Sequence, residues 1–134
     1  MNIPTTKTVK AFKDYDFENC DVPKEYWGDY THLNFFKRYF IPIVRKEYKA
    51  LAKKIGAELI SFSANNFEWT AFFKKDDKFV YVSTSDVRYW KWYDSVLFRT
   101  AVDEHDYTGG ANNYCSYDRL AENLEDMFGL LGAV

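Results

Sequence analysis

Between residues 31 and 55 the apolar positions recur every three or four residues. At about 100° per residue, Leu33, Phe36, Phe40, Ile43, Val44, Leu51 and Ile55 fall on one face. Arg38, Arg45, Lys46, Lys49 and Lys53 fall on the opposite face. The spacing predicts a long helix over 31–55, capped by Thr31 or Asp29 and closed by Gly56 in a left-handed conformation. Pro42 lies among the basic residues. It removes one hydrogen bond and crowds the Arg38 carbonyl, so a bend is expected there.

After Gly56 the period changes to two, the repeat of a half-buried strand. Residues 58–63 place Ile60 and Phe62 on one face, and 67–73 place Phe67, Trp69, Ala71 and Phe73 together against Glu68 and Thr70. A third strand covers 79–83. A fourth, 95–102, sets Val96, Phe98, Thr100 and Val102 against Leu97, Arg99 and Ala101, and a short fifth covers 113–116. Asn65 and Asn66, then the run Lys75-Asp76-Asp77-Lys78, are turn signals short enough to make the sheet antiparallel. Asp118 is the expected cap of a last helix with Leu120, Leu124, Met127, Phe128 and Leu131 on its apolar face.

Residues 1–28 show no sustained period and read as an irregular arm with a short turn near 24–27. Phe12, Tyr15, Phe17, Tyr26 and Trp27 make it too apolar to float free. The fold expected is a single α+β domain over 1–134, a two-layer sandwich. An antiparallel sheet of four to five strands carries a long N-terminal helix and a C-terminal helix on one face.

Composition sharpens this in three respects. Twenty-seven of the 134 residues are aromatic, enough for a core without metal or disulfide. Cys20 and Cys115 stand alone, without histidines at metal-ligand spacing, and are expected to be free thiols. No apolar run approaches a membrane span and the first residues lack a leader's apolar core, so the expected location is cytoplasmic. The net charge of −2 is unevenly spread: residues 29–57 hold seven basic against two acidic residues, and residues 94–126 hold eight acidic against two basic.

No phosphate loop, dinucleotide fingerprint, metalloprotease helix or nucleophile elbow is present, and no cofactor or metal is expected. His32 reads as a surface residue in the first helical turn. His105, in Asp103-Glu104-His105-Asp106, has acid–base potential, but neighbouring residues point apart and no nucleophile accompanies it. Gly109-Gly110 reads as a tight turn. The connection 85–94 concentrates Arg88, Tyr89, Trp90, Trp92 and Tyr93, residue types that dominate interface energetics, unless the tryptophans fold back onto the sheet.

The run from Leu97 to Tyr114, Leu-Phe-Arg-Thr-Ala-Val-Asp-Glu-His-Asp-Tyr-Thr-Gly-Gly-Ala-Asn-Asn-Tyr, resembles one found in small uncharacterised proteins carried by bacterial phages and mobile elements. The resemblance extends loosely from Leu33 to Phe128. It brings no catalytic residues; it implies a phage setting in the bacterial host cytosol and favours inhibitors of host defence such as anti-CRISPR proteins. The leading expectation is therefore a non-enzymatic inhibitor or adaptor. It would bind another protein, such as a nucleic-acid-binding defence protein, through Arg88, Tyr89, Trp90, Trp92, Tyr93, Asp103, Glu104, Asp106 and Tyr107. The strand between the two loops would set their bases roughly 25 Å apart, at opposite ends of the sheet. The alternatives are nucleic-acid binding through Arg38, Arg45, Lys46, Lys49 and Lys53 with the aromatic loop, and a small enzyme with its site around His105.

Overall fold

The computed structural model describes residues 3–108 and 110–132. Strands β1 (Glu58–Asn65), β2 (Glu68–Lys75), β3 (Lys78–Thr84), β4 (Ser95–Ala101) and β5 (Asn113–Ser116) form one antiparallel meander in sequence order. Asn66 and Asp76 adopt φ of 54° and 56°, the left-handed conformation that lets the first two hairpins turn tightly. Cross-strand register puts Ala71 opposite Val82 and Val82 opposite Phe98. The alternate residues Trp69, Ala71, Phe73, Val80, Val82, Val96 and Phe98 thus form one buried face.

Two strand expectations change. The ladder pairs Leu59 with Phe73 and then Ser61 with Phe72, so Ile60 is an extra residue in a bulge, and Leu59 joins Phe62 on the core side. β4 ends at Ala101, leaving Val102 exposed rather than on the core face.

The α+β architecture holds, but the long helix is mid-chain, not N-terminal. It comprises α1 (Thr31–Phe35), a π-turn (Phe36–Phe40) and α2 (Ile41–Lys54). In the π-turn the Ile41 N–H donates to Phe36 O, five residues back. The disturbance expected at Pro42 takes the form of this π-turn, which ends two residues before the proline. The extra residue shifts the buried stripe to Phe35, Phe36 and Phe40 before it and Ile41, Val44, Tyr48, Ala52 and Ile55 after it. The expected set leaves out Tyr48, although it is four residues from Val44 and seven from Ile55, and assigns Leu33, Ile43 and Leu51, which are only half-buried, to the core.

The helix start also differs from expectation. Tyr30 holds the N-cap position at φ 62° with no side-chain cap, and the Thr31 hydroxyl instead donates to Gly28 O at 2.9 Å. Gly56, at φ 72°, ends the helix as expected.

Trp69 is where the layers meet. Its Nε1 donates to the Tyr48 hydroxyl at 2.8 Å, which satisfies two fully buried polar atoms at once. Its ring packs edge-on against Phe12 of the arm, Tyr48 and Trp90. The arm is part of this core: it forms short 3-10 turns at Val9–Asp14 and Lys24–Tyr26 and buries Val9, Phe12, Phe17 and Cys20. Val9 N donates to Glu47 Oε2 at 2.6 Å and the Tyr117 hydroxyl donates to Glu47 Oε1 at 3.0 Å, so one carboxylate ties the arm and the last helix to α2.

α3 (Leu120–Gly132) buries Leu120, Leu124 and Phe128, as the apolar face anticipates. Asp118 lies within the 3-10 turn Tyr117–Arg119 and pairs with Lys10 at 3.6 Å; the Asp94 carboxylate accepts from Tyr117 N at 3.1 Å at the head of that turn. α2 covers β1, and α3 covers β3 to β5 on the same face.

Candidate binding surface

Within the β3–β4 connection, residues three apart share a fate. Val87 and Trp90 point inward and Tyr89 and Trp92 point outward, because the 3-10 turn Val87–Tyr89 repeats every three residues. Val87 N donates to Phe67 O at 3.0 Å and docks the turn against the β1–β2 hairpin. Trp90 is 2% exposed, its Nε1 donates to Ser85 Oγ at 3.0 Å, and its ring lies 5.8 Å from that of Tyr117. It is a core residue and is unavailable to a partner, a correction to its place in the expected binding set. Its burial is what holds the connection in place.

Arg88 is likewise committed. Asp86 accepts from its Nε at 3.0 Å and Nη2 at 2.6 Å, and also caps the turn through Arg88 N at 3.0 Å. Glu18 of the arm accepts from Nη1 at 3.1 Å, and the guanidinium lies 4.5 Å from the Phe67 ring centroid. The hydrogen bond to Asp86 holds the Arg88 pKa above its ordinary value.

Around this anchored base stand the exposed rings. Tyr89, Trp92 and Tyr93 are 48%, 68% and 61% exposed, and Tyr89 stacks on Trp92 at 6.0 Å. Trp27 and Tyr30, from the arm and the head of α1, are 61% and 79% exposed. A groove of about 400 Å³, lined by Glu18, Tyr30, Leu33, Phe67 and Arg88 among others, lies between arm, helix head and connection. Of the nine large apolar side chains exposed among the described residues, these five lie on the arm, the helix head and the connection; Tyr30 lines the groove, whereas Tyr93 lines a separate hollow with Tyr114 and Cys115. Tyr30 and Trp27 were missed in the sequence because their segment has no period to say which way a ring points.

The acidic loop lies at the other end of β4, as its position in the chain anticipates. Asp103 Oδ1 accepts from the backbone N–H of His105 at 2.8 Å and of Asp106 at 2.9 Å. Asp106 accepts from Thr108 N and hydroxyl at 2.9 and 2.6 Å, and the Thr108 side chain is the main cause of its lowered pKa. Glu104 and His105 are exposed, 3.5 Å apart, an ion pair only when the imidazole is protonated. The carboxylates at 103 and 106 are thus engaged with their own loop. Tyr107 lies flat on Tyr81, 4.3 Å between centroids, with the Arg99 guanidinium 5.6 Å from its ring, over the sheet face that no helix covers. Arg99 also donates to Gly110 O and, at 3.0 Å, to Asn112 Oδ1. Gly110 backs onto β4 so closely that a Cβ there would sit 2.5 Å from Thr100 O; Gly109 lies outside the described residues.

The basic stripe is exposed along its length, and two of its five members are occupied. Arg38 stacks over Tyr26 at 5.0 Å and donates to Glu25 O at 3.3 Å, and Arg45 lies 5.2 Å from the Phe62 ring. Lys46, Lys49 and Lys53 project from α2. His32 Nε2 is 2.9 Å from Cys20 O at the wall of the groove. Cys20 and Cys115 are free thiols. Burial raises both pKa values, that of Cys115 to about 11, which makes each a poor nucleophile. Among the described residues no group of three or more His, Cys, Asp or Glu side chains is placed to hold a metal ion, and no helix is long and apolar enough to cross a membrane. Compared with protein families, with curated proteins and with solved structures, the chain matches none.

Proposed function

We propose that the chain is a non-enzymatic protein-binding inhibitor or adaptor that acts by covering a functional surface of its partner. The observation that carries this reading is the exposure of Tyr30 in the groove and of Tyr89 and Trp92 beside its Arg88 wall, with Trp27 and Tyr93 exposed on the same two segments of chain. Exposed aromatics of this size stay in water at a cost, and when desolvated by a partner they supply the largest binding contributions. The rigid base beneath them, Trp90 and the Arg88–Asp86 pair, favours binding with little loss of conformational freedom. Arg88 and Trp90 thus support the surface rather than form it, and Asp103, Glu104, Asp106 and Tyr107 lie too far away to share a small partner's footprint. The resemblance of the 97–114 run to phage-borne proteins supplies the setting, an anti-defence or anti-CRISPR-like role against a host protein in the bacterial cytosol. The runner-up, nucleic-acid binding, rests on the exposure of Lys46, Lys49 and Lys53.

The test is affinity capture from bacterial cells carrying candidate defence nucleases, with the parent and with a folded Trp92→Ala, Tyr93→Ala pair side by side. The expected outcome is a captured protein that the variant releases faster, since truncated hot-spot rings act mainly on dissociation. Equal retention by the two would move the site elsewhere. Bound nucleic acid in place of protein, lost after Lys49→Glu with Lys53→Glu, would install the runner-up.

A further inference from the structure

We infer that this aromatic end docks a face of the partner protein that is rich in arginine or lysine, with the arm rather than the 103–106 loop supplying the opposite charge. The inference rests on the protein-binding reading and names the partner's chemistry. Residues 14–29 contain six acidic side chains, Asp14, Asp16, Glu18, Asp21, Glu25 and Asp29, against one basic, Lys24, and all six are exposed. The excess is invisible in a half-chain charge count, because Lys7, Lys10 and Lys13 precede it and the basic helix follows it.

One contact places this charge beside the rings: the Glu18–Arg88 ion pair at 3.1 Å joins the arm to the aromatic connection. Asp29 adjoins Tyr30 in the chain, while Asp16 is engaged with its own turn, accepting from the backbone N–H of Glu18 and Asn19 and from Asn19 Nδ2. Glu18 and Tyr30 line the same groove.

The chain's own cations show what rings of this kind accept. Lys91 Nζ lies 4.5 Å from the Trp92 centroid and Arg88 5.9 Å from that of Tyr89, with the neighbouring rings of Phe67 and Tyr26 taking Arg88 at 4.5 Å and Arg38 at 5.0 Å. A cation arriving between Tyr30 and Glu18 would meet a ring face and a carboxylate together, the pairing that holds Arg88 between Phe67 and Asp86. Nucleic acid is the disfavoured occupant, since its phosphates would approach several carboxylates within a Debye length of about 8 Å. The 103–106 carboxylates sit across the sheet, so they add to long-range attraction and not to the contact.

The experiment is fluorescence anisotropy with three labelled probes: a helical Arg/Leu/Ala peptide, the same peptide with Glu for Arg, and a single-stranded DNA of similar length. The full chain is compared with Glu25→Lys/Asp29→Lys, with Glu104→Lys/Asp106→Lys, which changes the net charge equally, and with Tyr30→Ala/Trp92→Ala. Each variant is first checked for native circular dichroism, and Glu25→Gln/Asp29→Gln replaces the arm reversal if that variant does not fold. The Arg peptide should bind the parent. Its affinity should fall about tenfold or more with the arm reversal and the aromatic pair, and less than about twofold with the loop reversal. No binding of the Arg peptide, equal binding of the Glu peptide or the DNA, or equal effects of the two reversals would overturn the inference. Loss with the aromatic pair but not with the arm reversal would leave the protein-binding surface standing and remove the basic partner. Loss with the arm reversal alone would instead remove the rings from the site.

Discussion

The loops at the two ends of β4 are both rich in polar and aromatic residues, yet they are built in opposite ways. In the β3–β4 connection the polar groups face the protein: Asp86 holds Arg88, Ser85 holds Trp90, and the surplus rings are left outside. In the β4–β5 loop the single large ring, Tyr107, lies on the sheet, and the carboxylates at 103 and 106 cap backbone N–H groups of their own loop. An anchored loop that displays rings can bind without first being ordered, whereas a loop that consumes its carboxylates locally offers a partner little. Acidic residues clustered in sequence are therefore weaker evidence of a site than the question of where each carboxylate's hydrogen bonds go.

The largest effect that would break this comparison is in stability. Trp90→Ala removes a buried ring wedged against Trp69, Phe12 and Tyr117 and should cost about 3–5 kcal/mol in chemical denaturation. Trp92→Ala, two residues away and 68% exposed, should stay within about 0.5 kcal/mol. Equal costs would mean that the inward and outward assignment of the connection is wrong.

Alkali should separate the ends next. Burial raises the pKa of Tyr48 and of Tyr117, the two phenols beneath the aromatic end, above the ordinary 10.0. Above that value the unfolded chain releases protons that the folded chain keeps, so stability is complete below about pH 10 and falls as pH rises. Two such groups give a slope of about 2.7 kcal/mol per pH unit, with Cys115 acting in the same direction from about pH 9. Denaturation midpoints measured across this range should show the slope reduced by about 1.4 kcal/mol per pH unit in Tyr117→Phe.

A smaller effect is expected at Asp86. Asp86→Ala removes the cap on Arg88 N and two guanidinium contacts and should cost about 1–2 kcal/mol in the same denaturation assay. A change below the error of that assay would show that Glu18 and Phe67 suffice to hold Arg88.

Where the backbone repeats, its pattern was readable in advance. Period two located β2, β3 and β4, because each carries one buried face, and Leu120, Leu124 and Phe128 located the last helix. The long helix was readable in extent but not in register, since a π-turn inserts one residue at Phe36–Phe40 and brings Ile41 and Ala52 into the core. The bulge at Ile60 defeats strict alternation in the same way. The aromatic connection was legible as unusual, but which tryptophan is buried depends on a three-residue turn docked on Phe67 O, a contact made across the fold. The exposure of Tyr30 and Trp27 depends on an arm without period, shaped by Glu47 and by the packing of Phe12.

The smallest effect should come from Asp103, and it is the most direct probe of the acidic end. Its Oδ1 accepts two backbone N–H groups, those of His105 and Asp106, both in an exposed stretch where water can replace it. The loop is also closed by the backbone bond from Val102 N to Asp106 O at 2.8 Å, which Asp103→Ala leaves in place. Loss of the carboxylate should therefore change global stability by less than about 0.5 kcal/mol, while amide exchange at His105 and Asp106 speeds up and exchange within β4 does not. Affinity for the Arg-rich peptide should stay within about twofold, since the charge removed lies across the sheet from the groove. A loss of 2 kcal/mol or more would mean that the loop is ordered by contacts beyond its own turns. A tenfold loss of affinity at unchanged stability would return Asp103 to the binding surface and dissolve the distinction between the two ends.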